Sequence, residues 1–350
     1  MKLITIHRLR LENFKCHRLL EMLPFGQSME LRGGNGVGKS AVRDALFWLL
    51  YGQPEAVQPR GEADAVTAVE CEFRLDESLL TLRRTLQTRW TMRMGCREPV
   101  RAGQCTGFEI DGVAVGRGAY EAFVRELIHE RIFRLLSEPG YFTGLPWPRQ
   151  RALLLAAAGV DEDREAQRRK LAVREQDLLT ARSDHAVRLG ECRRILEDLK
   201  GTDCGAEIAA VENRIAALRA DAKRTTAQLM AIHEQRQALE VKDRAALDAA
   251  QEALNARLKS VQVQLYRMHR NGIEAQCVLL VDGLALKQAG TGARIRAETE
   301  LIGLLSQHFG ISIPLFLDHA EALTQPLPTQ NQCIRLIAEK GALRIKSDGE

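Results

Sequence analysis

The chain has 350 residues, 45% of them hydrophobic and 27% charged, with a formal net charge of +4. That balance is enough to bury a core and stay in solution, the length allows two domains, and the mild positive charge permits contact with nucleic acid without indicating it. Met1 to Cys16 interleaves apolar residues with Lys2, Arg8, Arg10 and Lys15, which excludes the uninterrupted apolar stretch of a signal peptide or membrane anchor, so a cytoplasmic protein is expected.

In chain order, Leu3 to Leu11 alternates like a strand and Ser28 to Leu31 reads as a second, short one. Gly33-Gly34-Asn35-Gly36-Val37-Gly38-Lys39-Ser40 follows, a full match to G-x-x-x-x-G-K-[ST]. The chemistry needs these residue types because glycines let successive N–H groups curl around phosphate oxygens. Lys39 neutralises the outer phosphates, and the Ser40 hydroxyl ligates Mg²⁺. Ala41 to Leu50 reads as an apolar helix whose N-terminus points its positive dipole end at the phosphates, so the expected ligands are ATP and Mg²⁺. Val69 to Arg93 reads as antiparallel strands, with Arg83, Arg84, Arg89 and Arg93 as a basic face for nucleic acid or, equally, a solvated sheet face. Asp111-Gly112 is a hairpin turn, Tyr120 to Leu136 has a helical pattern, and Pro146, Trp147 and Pro148 open a helix through Leu155.

From Asp161 to Arg270 proline vanishes and charged residues alternate with Leu and Ala. Ile208, Val211, Ile215, Leu218, Ala222, Thr225, Leu229, Ile232 and Leu239 keep three-four spacing, with Arg236 a polar intruder at the seam. Gly201 to Gly205 breaks this helix from an earlier one over Asp163 to Leu199, which predicts an antiparallel coiled-coil hairpin with arms of roughly 50 Å. A compact helical bundle is the alternative. A phase slip falls at Val241 to Asp243, before a third apolar series at Leu254, Leu258, Val261, Leu265 and Met268. The basic run Arg164, Arg168, Arg169, Lys170 and Arg174 reads as a phosphate contact or as a solvated helix face.

Beyond Gln276, Val278 to Val281 and Leu284 to Leu286 flank an Asp282-Gly283 turn, and an amphipathic helix spans Ala293 to His308. Ile311 to Leu317 is an apolar run closed by Asp318, the form of a buried parallel strand that delivers a carboxylate to Mg²⁺. Pro314 requires that strand to begin there. The eight cysteines, at 16, 71, 96, 105, 192, 204, 277 and 333, form no C-x-x-C pair, so reduced thiols are expected.

A phosphate loop near one end, an acid-capped strand near the other and a helical hairpin between them resemble the organisation of SMC-like ATPases. Leu9 to His17, the Leu50-Tyr51-Gly52 helix end, Ile132 to Ser137, Tyr141-Phe142 and Trp147 to Leu154 are similar to the SbcC/Rad-fifty branch, closest to compact phage- and prophage-encoded AAA-type ATP-binding proteins. The resemblance implies an α/β fold, a P-loop NTPase head of ABC type assembled from residues 1–160 and 273–350, with the coiled-coil hairpin inserted at 161–272. It implies that Lys15, Gly33, Gly34, Asn35, Gly36, Val37, Gly38, Lys39, Ser40, Ala41, Thr291 and Gly292 contact ATP and that Ser40 and Asp318 hold Mg²⁺. Lys39, Asp318, His319 and Glu321 would then carry hydrolysis. Its further implications are an ATP-sandwiched homodimer, DNA as partner, and a nuclease or recombination protein as a second partner.

The departures are specific. His319 stands where the family places a catalytic glutamate, with Glu321 two residues on. Gly290-Thr291-Gly292-Ala293-Arg294 is a degenerate signature, Gln150 comes too late for the lobe-connecting glutamine, and Glu339 takes the place of a switch histidine. A nucleotide-switched scaffold without useful turnover is therefore the second expectation.

Overall fold

The computed structural model describes residues 1–52, 65–92, 100–160, 163–200, 204–269, 272–324, 327 and 329–347. Contacts divide the chain into two compact units, one of Met1–Ala157, Leu254–Leu265 and Gln276–Glu350 and one of Ala158–Ala253 and Tyr266–Ala275.

The first unit is α/β. Strand β1 (Lys2–Phe14) takes up the N-terminal alternation and buries Ile4, Ile6, Leu9, Leu11 and Phe14. The three-residue step from Ile6 to Leu9 is a bulge: Ile6 pairs with Phe73 and Arg8 with Glu72, so His7 has no opposite residue. The extra residue switches the strand's parity, and both halves then face the core. Next come β2 (His17–Met22), β3 (Met29–Gly33) and α1 (Lys39–Tyr51). Antiparallel strands β4 (Thr67–Leu75), β5 (Ser78–Thr91), β6 (Val100–Ile110) and β7 (Val113–Ala114) follow, with the expected turn at Asp111 (φ 49°) and Gly112 (φ 76°). Helix α1 buries Ala41, Val42 and Ala45 to Leu50, too wide a face for a surface helix, which makes it the core of this unit.

The basic sheet face needs correction. Arg84 is 5% exposed and points inward; its guanidinium donates to the Trp48 and Leu49 carbonyls and stacks over Trp48 and Phe108, with centroids 5.4 and 4.8 Å away. It caps the C-terminus of α1, where a cation meets the negative end of the dipole. Arg83 pairs with Glu70 and Glu109, Arg89 is exposed, and Arg93 lies outside the described residues.

The helical pattern over Tyr120 to Leu136 divides into α2 (Arg117–Leu127) and α3 (Glu130–Ser137). Ile128 turns extended, and the His129 side chain accepts from the Arg131 N–H to start a new helix. α4 (Tyr141–Gly144) and α5 (Trp147–Ala157) complete this stretch.

In the second unit lie most of α6 (Asp163–Leu199) and α7 (Gly205–Arg257). Seam residues Ile215, Thr225 and Ile232 are buried, and Arg236 pairs with Glu175 of α6, which matches antiparallel helices. Gly201, Thr202 and Asp203 lie outside the described residues, as do the side chains of Arg164, Arg168 and Arg169, while Lys170 and Arg174 are exposed. α7 runs unbroken through Val241 to Asp243, so the phase slip rotates the apolar stripe without ending the helix.

The third apolar series changes period. Glu300 accepts the N–H groups of Lys259 and Ser260, both at 2.8 Å, and the Ser260 hydroxyl at 2.6 Å, fixing a turn. β8 (Gln262–His269) then buries Val263 and Leu265 in strand alternation.

β9 (Gly272–Val281) and β10 (Leu284–Ala285) form the expected hairpin through Asp282 and Gly283, both at positive φ, and α8 (Thr291–Phe309) matches the amphipathic helix. The apolar run before Asp318, expected as one strand, is two. β11 (Ile311–Ser312) pairs parallel with β1, and β12 (Leu315–Leu317) pairs parallel with β13 (Cys333–Ala338). Pro314, without an N–H, sits between them, where the chain passes from one sheet to the other. β14 (Arg344–Ser347) closes a four-stranded sheet ordered β12-β13-β3-β14. N- and C-terminal segments thus share one sheet.

Candidate nucleotide-binding site

β3 runs parallel to β13 and β13 to β12, so the C-terminal ends of all three reach the same sheet edge. In open α/β sheets ligands bind at such an edge. Residues 33–38 leave β3 there and enter α1 with Gly36 at φ 83° and Gly38 at φ 98°. At Gly38 the requirement is also steric: a Cβ would lie 2.1 Å from Cys16 Sγ and 2.4 Å from His17 Nε2, because the β1–β2 turn packs directly on the loop. Gly33 is braced by the C-terminal segment, its carbonyl accepting the Glu339 N–H at 3.0 Å, and the Gly34 N–H donates to Gly341 O at 3.0 Å. Lys39 curls back, its Nζ donating to the Gly33 and Gly34 carbonyls at 2.8 Å each.

Among the described residues none accepts a hydrogen bond from the backbone N–H groups of residues 36–40, and the first turn of α1 holds no acid. Ser40 is exposed, and the Ala41 N–H is taken by Gly38 O at 3.0 Å. A curl of free donors, a lysine and a positive helix end fit a polyphosphate anion.

Lys15, held at φ 50°, places Nζ 2.6 Å from Asp44 Oδ2. Asp44 is four residues after Ser40 and shares its helix face, so the ammonium stands one turn from the loop. Glu138 lies 3.7 Å from Arg43 on the same helix, its carboxyl pushed up by burial against the opposing pull of Arg43 and Arg134. Sequence reasoning missed Asp44 and Glu138. The i+4 offset from Ser40 could have found the first, whereas Glu138 carries no motif spacing.

Asp318 follows β12, exposed, with Oδ1 accepting its neighbour's His319 N–H at 3.0 Å. His319 takes a left-handed backbone, φ 56°, and lies 3.5 Å from Glu321. Glu321 accepts the Ala338 N–H at 3.1 Å, and Ala338 is the residue paired with Gly33. That bond brings the turn after Asp318 beside the root of the phosphate loop, with β12 two strands from β3, about 9–10 Å. Desolvation raises the Glu321 carboxyl, but bonds from its own N–H, Ala338 and His319 outweigh it and hold the group low.

Thr291 is exposed in the first turn of α8. Gly292 packs on the same turn as Glu321: a Cβ there would lie 2.5 Å from Ala322 O. Gly292→Ala is therefore expected to cost about 1–3 kcal/mol in denaturant unfolding, whereas Thr291→Ala stays within about 0.5 kcal/mol. Equal stability of the two variants would remove the close-packing account. Gln150 is buried in α5 with its amide on the Thr143 and Leu145 carbonyls at 3.1 and 2.7 Å, a packing role.

The family described as an AAA domain matches residues 8–89, a span that holds the whole phosphate loop. No curated protein matches the chain. Among solved structures it is similar to the Smc head domain with an extended coiled coil bound to the C-terminal domain of ScpA from Pyrococcus furiosus, at 13% identity and TM-score 0.49, covering 98% of this chain and 96% of that one. It is also similar to the Smc head domain with a coiled coil and joint from Pyrococcus yayanosii, at 12% identity and TM-score 0.44, covering 98% and 97%. The recombination mediator RecF with ATP is similar at 10% identity and TM-score 0.40, covering 98% and 94%.

Proposed function

We propose that this chain is an SMC-like ATPase of the SbcC branch, close to the compact phage- and prophage-encoded forms. It would couple ATP binding and slow hydrolysis to dimerisation of its head and to DNA binding, in repair, recombination or phage DNA metabolism. Residues 1–160 and 273–350 would form the ABC-type head and 161–272 the coiled-coil hairpin. The observation that carries this reading is the Glu321 bond to Ala338, opposite Gly33, which joins the turn after Asp318 to the phosphate loop. The match of residues 8–89 to an AAA domain supports the nucleotide. The DNA and dimer parts rest on the motif order that resembles SMC-like ATPases.

When bound, ATP with Mg²⁺ supplies the phosphoryl group that passes to water. Of the nine residues Gly33 to Ala41, residues 36–40 would cradle the phosphates through their free backbone N–H groups, those of Gly34 and Ala41 being engaged by Gly341 O and Gly38 O, and Lys39 would exchange its two loop carbonyls for phosphate oxygens. Ser40 and Asp318 would hold the cation. Lys15 would approach from the β1–β2 turn, and Thr291 with Gly292 would face the partner's nucleotide. His319 or Glu321 would position the water, a neutral imidazole being able to orient it without matching a glutamate's basicity. Among the described residues no helix is long and apolar enough to cross a membrane, and a cytoplasmic location fits DNA as partner.

A second reading is favoured by one feature: the Glu321 carboxylate is already engaged by Ala338 and His319. With no carboxylate free beside Asp318 among the described residues, the chain could bind ATP as an assembly switch that recruits a nuclease or recombination partner. Steady-state hydrolysis with and without duplex DNA decides between the two. The enzyme reading expects turnover that DNA stimulates, that Asp318→Ala removes, and that His319→Glu raises. Tight ATP binding with no turnover in the wild type, whether or not DNA is present, would establish the scaffold instead.

A further inference from the structure

The β1–β2 turn is fastened to the phosphate loop and its helix at three points. Phe14, fully buried, lies against Trp48 of α1, with ring centroids 5.7 Å apart. Lys15 pairs with Asp44 of the same helix. His17, which pairs across the turn with Phe14 and is 8% exposed, places Nε2 3.0 Å from the carbonyl oxygen of Gly38 in the loop itself. A carbonyl only accepts, so the proton of that bond sits on Nε2 whatever the charge of the ring. Gly38 O also accepts the Ala41 N–H at 3.0 Å.

The imidazole bears on the phosphates through the peptide that joins Gly38 to Lys39. This peptide is trans, so its C=O and N–H point in opposite directions. With the oxygen turned to His17, the Lys39 N–H is turned away from the β1–β2 turn and meets no acceptor among the described residues. Gly38, at φ 98° and ψ 18°, has no Cβ to resist rotation of that peptide, since glycine reaches most backbone conformations at little cost. The same missing Cβ lets the imidazole approach, because a side chain at 38 would lie 2.4 Å from Nε2.

We infer that His17 is a positioning residue of the phosphate loop: its Nε2–H holds the Gly38–Lys39 peptide in the orientation that presents the Lys39 N–H to a phosphate oxygen. His17 itself donates to the loop and not to the phosphates. A donor aimed in advance needs no reorganisation when the anion arrives. The inference rests on the proposed nucleotide site and adds to it a residue outside the G-x-x-x-x-G-K-[ST] pattern.

The test compares His17→Gln with His17→Met in the full chain. Both side chains are unbranched and alike in length, and only glutamine has an N–H to give to Gly38 O. ATP and inorganic tripolyphosphate are each titrated against a fluorescent ATP analogue, beside thermal melting without nucleotide. Methionine is expected to weaken both ligands by the same factor, about 3- to 10-fold, the worth of one hydrogen bond, and glutamine to stay within about 2-fold of wild type. The melting temperatures of the two variants should agree within about 4 °C, because Gly38 O keeps the Ala41 N–H in each. His17→Phe, closer to imidazole in shape and also without a donor, takes the place of methionine should that variant fail to fold. If the variant without a donor binds as tightly as wild type, if glutamine is as weak as methionine, or if only ATP is affected, the positioning inference fails while the nucleotide site stands. If the wild type binds neither ligand, the proposed nucleotide site fails, and the inference with it.

Discussion

Lys39→Ala is expected to lower ATP hydrolysis by at least about 100-fold, the cost of removing one preorganised charge from a transferring phosphoryl group. The ammonium sits 2.8 Å from both the Gly33 and Gly34 carbonyls, inside the curl of free N–H groups, so its path to a phosphate oxygen is a side-chain rotation with no backbone shift. The variant should keep its fold. Gly33 O retains the Glu339 N–H as donor, and the lost bonds cost about 1 kcal/mol in unfolding. Lys39→Arg should recover little, because a rigid guanidinium fork cannot take the place of a compact charge. Turnover and nucleotide affinity measured beside thermal melting check this. Hydrolysis within a factor of a few of wild type would mean that residues 33–40 do not hold the reacting phosphates.

Arg84→Ala is expected to lower stability by about 2–4 kcal/mol, the range for truncating a large core side chain. The carbonyls that Arg84 caps are not orphaned by the change: Trp48 O still accepts the Gly52 N–H at 3.0 Å and Leu49 O the Tyr120 hydroxyl at 3.1 Å. Most of the loss therefore comes from the cavity between Trp48 and Phe108 and from the uncovered dipole. Burial already pulls this guanidinium below its ordinary pKa, a sign that its charge is held at a cost. Arg84→Met fills the space without a charge and should lose less than half as much as alanine. Urea unfolding of the three proteins separates the effects. If methionine and alanine cost the same, the charge at the helix end dominates over packing.

Arg83, Arg84 and Arg89 show where sequence reading stops. All three belong to one basic strand, and composition cannot separate them. Parity puts Arg84 on the core face with Leu82 and Leu86, but a reader weighing charge against burial would send any arginine outward. Only the C-terminus of α1, laid against that face, makes the inward position favourable.

The residues from Ile311 to Asp318 carry a second lesson. An apolar run closed by an acid predicts a buried strand, and buried strands are there, but the run serves two sheets with Pro314 at the crossing. Hydropathy reports that a segment is covered on both faces and is silent on which neighbours cover it.

The sequence by itself determined the features whose cause is local. These are the phosphate loop between a short strand and an apolar helix, the Asp-Gly turns, and the two long helices with their seam. Each follows from backbone preference or periodicity within a few turns of chain. The tertiary structure alone decided which distant groups meet. It set Cys16 and His17 against Gly38, and it carried Glu321 through Ala338 to Gly33. It also turned Arg84 inward, onto the C-terminus of α1. The physical reason is that a pattern specifies the face a side chain occupies, whereas its partner is chosen by packing between segments from opposite ends of the chain.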